Sequence, residues 1–136
     1  MLVGCGPIRL VSAYDQVVDE GVTKFHTDIV AFVGKMSALA GKPEGTYEAN
    51  QGAYAEFAAQ LSSLKMHAAQ TPKNTITEQA LDELARNIEN LRKLHESGKD
   101  HGLSEPLTRT AIVAIHVQCE SILKFEMAKK RGEDKQ

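Results

Sequence analysis

The sequence predicts an all-α protein, specifically an up-down-up-down antiparallel four-helix bundle. Three observations carry this. Apolar residues recur at alternating steps of three and four in four separate runs, which is helical spacing. Short polar loops holding glycine or proline separate the runs, and short connections favour antiparallel neighbours. Every apolar run keeps the helical period, so none reads as a strand.

The first run is Val18, Val22, Phe25, Ile29, Phe32, Met36 and Leu39. Ser12 is the expected cap of the free amides. Asp15 stands three residues on as a capping-box analogue, with Asp19 and Glu20 near the positive end of the helix dipole. Gly41 and Pro43 mark the stop. At 1.5 Å per residue this first helix should be about 40 Å long and the others shorter.

The second run is Tyr47, Asn50, Tyr54, Phe57, Leu61, Leu64 and Ala68, ending at Thr71-Pro72. The third is Leu81, Leu84, Ile88, Leu91 and His95, with Thr75 or Thr77 as cap and Ser97-Gly98 as exit. The fourth opens at Ser104-Glu105-Pro106, where serine caps and proline fits a turn whose amides lack intrahelical partners. Its stripe is Ile112, Ile115, Cys119 and Ile122. Lys129, Lys130 and Arg131 complement the carboxyl end before Gly132. The domain reading is a leading segment over 1–11, a bundle over 12–132 and a frayed tail over 133–136. Gly21, Gly34, Gly52, Ala58 and Ala85 are small enough to let helices approach closely. Each helical glycine costs about 1 kcal/mol relative to alanine, so a packing reason is expected.

Composition narrows the function. A chain of 136 residues can bury a core without disulfides or metal. The formal net charge is −2, with acids and bases mixed, which is not the basic field that nucleic acid requires. No stretch of about 18 apolar residues is present to span a membrane. Two cysteines, Cys5 and Cys119, are too few for a disulfide scaffold. Aromatic residues make up 5% with no tryptophan, which argues against stacking platforms for bases or sugars.

The opening MLVGCGPIRL admits two readings. As a dinucleotide-binding turn it needs a third small residue and a following parallel strand. Arg9 stands at that third position, and no such strand follows. The alternative rests on Leu2-Val3-Gly4-Cys5, which resembles the lipobox of bacterial lipoproteins: a leucine, a small residue, then the cysteine. That resemblance implies cleavage before Cys5, a diacylglycerol on its sulfur, and a secretion signal ahead of the box. Gly6 follows where enterobacterial lipoproteins held at the inner membrane carry aspartate, so the resemblance implies the periplasmic face of the outer membrane. The tether from Gly6 to Leu10, followed by helices, also resembles small helical lipoproteins of proteobacteria, from which no activity follows. Acyl burial at about 0.8 kcal/mol per CH₂ makes such an anchor stable.

Chemistry-bearing constellations are sparse. Glu-x-x-His, the di-iron signature of helical bundles, is absent: Thr23, Leu64, Arg92, Gly98 and Val113 precede the five histidines by three. Cys-x-x-Cys-His for covalent haem is absent too. His116 and Cys119 share a helix face and offer half of a soft-metal site, but Cys119 lies in the isoleucine stripe and is expected to act as a small buried hydrophobe. His95 is expected to cap the last carbonyls of its helix, the alternative being a reach across the core. Met36, Met66 and Met127 are the methionines open to a haem reading. Tyr47 and Tyr54, beside Asn50, are expected to form a small buried network, or else the rim of a ligand groove. Asn50 at a core-facing position would fix register. Glu89–Lys93, Glu120–Lys124 and Glu126–Lys130 have the spacing of exposed ion pairs one turn apart.

These features lead to the expectation of a lipid-anchored, non-catalytic bundle that contacts a protein partner or itself. No cofactor and no nucleic acid are expected. A metal- or haem-binding bundle and a cytosolic helical adaptor are the alternatives.

Overall fold

The computed structural model describes residues 10–134. Four long helices form: α1 over Gln16–Ala38, α2 over Gln51–Ala69, α3 over Thr75–Gly98 and α4 over Leu107–Asp134. Each packs on its neighbours in the chain, and α1 closes against α4, giving the four-helix bundle. No strand occurs among the described residues. One end of the bundle, called here the entry end, gathers the start of α1, the α2–α3 turn and the end of α4. The other, the far end, gathers the α1–α2 and α3–α4 connections.

The core follows the apolar stripes. Val18, Val22, Phe25, Ile29, Val33 and Met36 are buried on α1, and Tyr54, Phe57, Leu61, Leu64 and Ala68 on α2. Leu81, Leu84, Ile88 and Leu91 on α3 meet Ile115, Cys119 and Ile122 on α4. Val33 joins the α1 stripe, while Phe32 and Leu39 sit at its edge, half-buried. Phe25, Phe32 and Phe57 contact edge to face, the arrangement that ring quadrupoles favour.

Several boundaries differ from those expected. Asp15, not Ser12, caps α1: its side chain accepts from the amides of Val17 and Val18. It stands immediately before the first helical residue, the position from which a short carboxylate reaches those amides. Asn74, rather than Thr75 or Thr77, is the N-cap residue of α3. The α2 helix begins at Gln51, because Pro43–Gly45 and Glu48–Asn50 form short 3₁₀ turns. Gly132 lies inside α4, which runs on to Asp134 and is the longest helix at 28 residues, about 42 Å.

The small residues divide into three groups. A Cβ at Gly21 would run into the Leu64 side chain, so this glycine does serve close approach of α1 and α2. Gly34 and Gly52 have open space around them and no packing role. Ala58 and Ala85 leave a groove of about 280 Å³ between α2 and α3, floored by Tyr54, Leu61 and Ile88, with Lys65 and Arg92 at its ends.

Candidate functional site

The entry end carries a polar cluster drawn from all four helices. The stripe of α4 continues past Ile122 through Glu126 and Lys129, and both charged side chains are buried, 0% and 1% exposed. Burying two charges is tolerable only if each is paired and hydrogen-bonded. Lys129 Nζ donates to Glu126 Oε1 at 2.6 Å, to Asn74 Oδ1 at 3.3 Å and to Thr77 Oγ1 at 3.5 Å, which uses the three protons of its ammonium group. The second Glu126 oxygen accepts from the Asp15 amide at 2.9 Å. The expected exposed pair Glu126–Lys130 is therefore corrected. Glu126 faces inward and pairs with Lys129, while Lys130 is exposed and lies over the Tyr14 ring.

The segment entering α1 is bound into the same cluster. Ser12 Oγ donates to Asn74 Oδ1 at 2.8 Å, and its amide donates to the Lys73 carbonyl at 3.0 Å. The Asn74 amide group donates to the Ala68 carbonyl, tying down the end of α2. The Tyr14 amide donates to Glu133 Oε1 at 2.7 Å, so Glu133 is engaged where a frayed tail was expected. His67 Nε2 lies 2.8 and 3.0 Å from the two Asp15 oxygens; a carboxylate only accepts, so the ring donates. Ser12, freed from capping, becomes a buried link between the incoming chain and α3.

A second cluster lies near the far end. His95 is fully buried, and its Nε2 donates to the Gly45 carbonyl at 2.8 Å. In the neutral ring Nδ1 then accepts from the Tyr54 hydroxyl, also at 2.8 Å. Its expected role as a helix cap is thus corrected: His95 reaches across the core. Gly45 is held against Leu39, with no room for a Cβ, and Gly102, at φ +64°, packs on the Gly45 carbonyl. Burial pushes the Tyr54 phenol up, out of the range where it would ionise.

The aromatic network expected around Tyr54 therefore exists, but Asn50 has no core role in it. Asn50 sits half-buried at the end of a 3₁₀ turn and donates to the carbonyls of Glu44 and Thr46. Tyr47 accepts from Arg92 at 3.0 Å. Arg92 also binds Glu89 and Glu96, which raise its pKa, and Glu89 thus pairs with Arg92 where Lys93 was expected. Tyr54 has two faces to its role, since its hydroxyl holds His95 while its ring floors the groove.

The remaining candidates fall apart spatially. Cys5 lies outside the described residues. His116 is exposed and Cys119 is 1% exposed, so the pair that shared a helix in sequence points to different surroundings. Burial pushes the Cys119 thiol up to about 12, which makes it a poor nucleophile and metal ligand. In a Cys5→Ser variant at pH 8, thiol reagents should label Cys119 only as fast as the bundle opens, and rapidly in denaturant. Fast labelling of the folded chain would contradict this burial. Met36 is in the core, whereas Met66 and Met127 are exposed on other helices. Among the described residues, no group of three or more His, Cys, Asp or Glu could hold a metal ion. No helix among them is long and apolar enough to cross a membrane. Sequence reasoning missed the approach of His26 on α1 to His116 on α4, whose ring nitrogens lie 2.8 Å apart.

No protein-family model matches this chain, and neither a curated protein nor a solved structure matches it.

Proposed function

We propose that this chain is a lipid-anchored, non-catalytic helical bundle, fastened through Cys5 to the periplasmic face of the outer membrane, that serves protein contact or envelope structure. The observation that carries the proposal is the clamp on the entering chain. Ser12 offers its backbone amide to the Lys73 carbonyl in the α2–α3 turn, while Tyr14 and Asp15 offer theirs to Glu133 and Glu126 on α4. A lipid on Cys5 would thus pull on a segment bonded into the whole bundle, not on one fraying helix end.

The chemistry of the polar side chains supports a non-catalytic role. His95 spends both ring nitrogens on structural partners, and His67 spends Nε2 on Asp15. Ser97 and Ser121 donate to carbonyls of their own helices. The groove between α2 and α3, apolar below and charged at its ends, is the concave surface that partner contact would use.

Intact-mass analysis of the protein extracted from its native membranes tests the address. A chain beginning at Cys5 with a diacylglyceryl adduct is the expected result, together with loss of membrane association in Cys5→Ser. An unmodified product in the soluble fraction would overturn it.

A further inference from the structure

We propose that His26 and His116 form a surface site for a divalent transition-metal cation of the zinc, copper or nickel class, clamping α1 to α4. His26 Nε2 and His116 Nδ1 are 2.8 Å apart, with ring centroids 4.9 Å apart and planes inclined at 48°. Imidazole nitrogens bind zinc at about 2.0–2.1 Å. Two such ligands at right angles about one ion are separated by about 2.9 Å, and in a tetrahedron by about 3.4 Å. The helices therefore already hold both donors near chelating separation, and the rings need to turn so that both lone pairs converge on one ion.

The surroundings suit the ion. Metal-bound histidines commonly direct their other nitrogen to a carboxylate, which fixes the ring and raises its basicity. His116 Nε2 faces Glu120 Oε2 at 3.8 Å, one turn along α4. Lys124 binds the same carboxylate at 2.8 Å and holds it in place beside the histidine. In the metal-free pair one of the two facing nitrogens donates to the other. Binding moves that proton to the far nitrogen of its own ring and leaves both near lone pairs for the ion. The His116 side chain is 55% exposed, so water can enter and complete the coordination. Imidazole donors favour zinc, copper and nickel over magnesium or calcium.

The test is calorimetric titration of the untagged full chain with zinc alone, repeated in Cys5→Ser to set aside the leading thiol. Saturable binding of a single zinc and a rise in Tm with zinc are expected. His26→Ala and His116→Ala should each weaken binding at least tenfold. Glu120→Gln should weaken it less than tenfold, since Glu120 stands 3.8 Å from His116 Nε2, outside hydrogen-bond distance. His101→Ala and a magnesium titration serve as controls and should respectively change nothing and show no binding. Copper loaded in place of zinc should show nitrogen hyperfine splitting that is lost in both histidine variants. Retained zinc affinity in folded His26→Ala and His116→Ala, or no saturable binding at millimolar zinc, would overturn the site.

Discussion

Glu126→Ala is expected to destabilise the bundle by about 3–5 kcal/mol, the range for removing one partner of a buried ion pair. Lys129 would keep Asn74 and Thr77 but lose its anionic partner in a place where its ammonium is 1% exposed. The Asp15 amide would lose its acceptor at the first turn of α1 as well. Tm should fall by roughly 10–20 °C for a domain of this size. The exposed pair Glu120–Lys124 provides the contrast: Glu120→Ala should cost only a few tenths of a kcal/mol, because surface ion pairs contribute little. The double variant Glu126→Leu with Lys129→Met separates pairing from packing. It should lie nearer the parent protein than Glu126→Ala does, since apolar pairs often replace buried ion pairs at little cost. Urea unfolding followed by circular dichroism gives all three values. A Glu126→Ala loss below about 1 kcal/mol would mean that water reaches Lys129 and that the clamp is weak.

The same residues show what the sequence could and could not reveal. The stripes were legible because hydrophobic burial on a helix imposes a period that survives without any knowledge of neighbours. Ile115, Cys119, Ile122, Glu126 and Lys129 follow one another at steps of four, three, four and three, so the inward face of α4 was written through position 129. Reading by apolarity ends the stripe where charge begins. The i, i+4 rule then pairs Glu126 with Lys130 on an imagined outer face. Continuing the period regardless of residue type would have placed Glu126 and Lys129 inside.

Other features required partners that spacing does not disclose. Ser12 and Asp15 are both good capping residues, and the choice between them depends on Asn74 offering Ser12 a buried acceptor 62 residues away. Asn50 continues the α2 period backwards, yet two local carbonyls hold its amide and the chain turns there instead. His26 and His116 flank their stripes 90 residues apart in sequence, so only the closure of α1 on α4 brings them together. Ala58 and Ala85 were visible as small, but close packing and an open groove leave the same mark in sequence.

His95→Leu is expected to cost about 2–6 kcal/mol, because it strands two buried polar groups at about 1–3 kcal/mol each. The Tyr54 hydroxyl would lose its acceptor and the Gly45 carbonyl its donor. Leucine nearly fills the space, so the loss reports hydrogen bonding more than cavity formation. Tyr54→Phe strands only His95 Nδ1 and should cost about 1–3 kcal/mol. Combining the two should cost clearly less than their sum, since His95→Leu in a Tyr54→Phe background leaves only the carbonyl unsatisfied. A histidine that merely capped the end of α3 would behave differently: its replacement would cost under about 1 kcal/mol and would not couple to Tyr54. Denaturant unfolding of the four proteins in the cycle distinguishes these cases. Strict additivity would remove the cross-core bond from the account of how α2 and the far-end turn are held to α3.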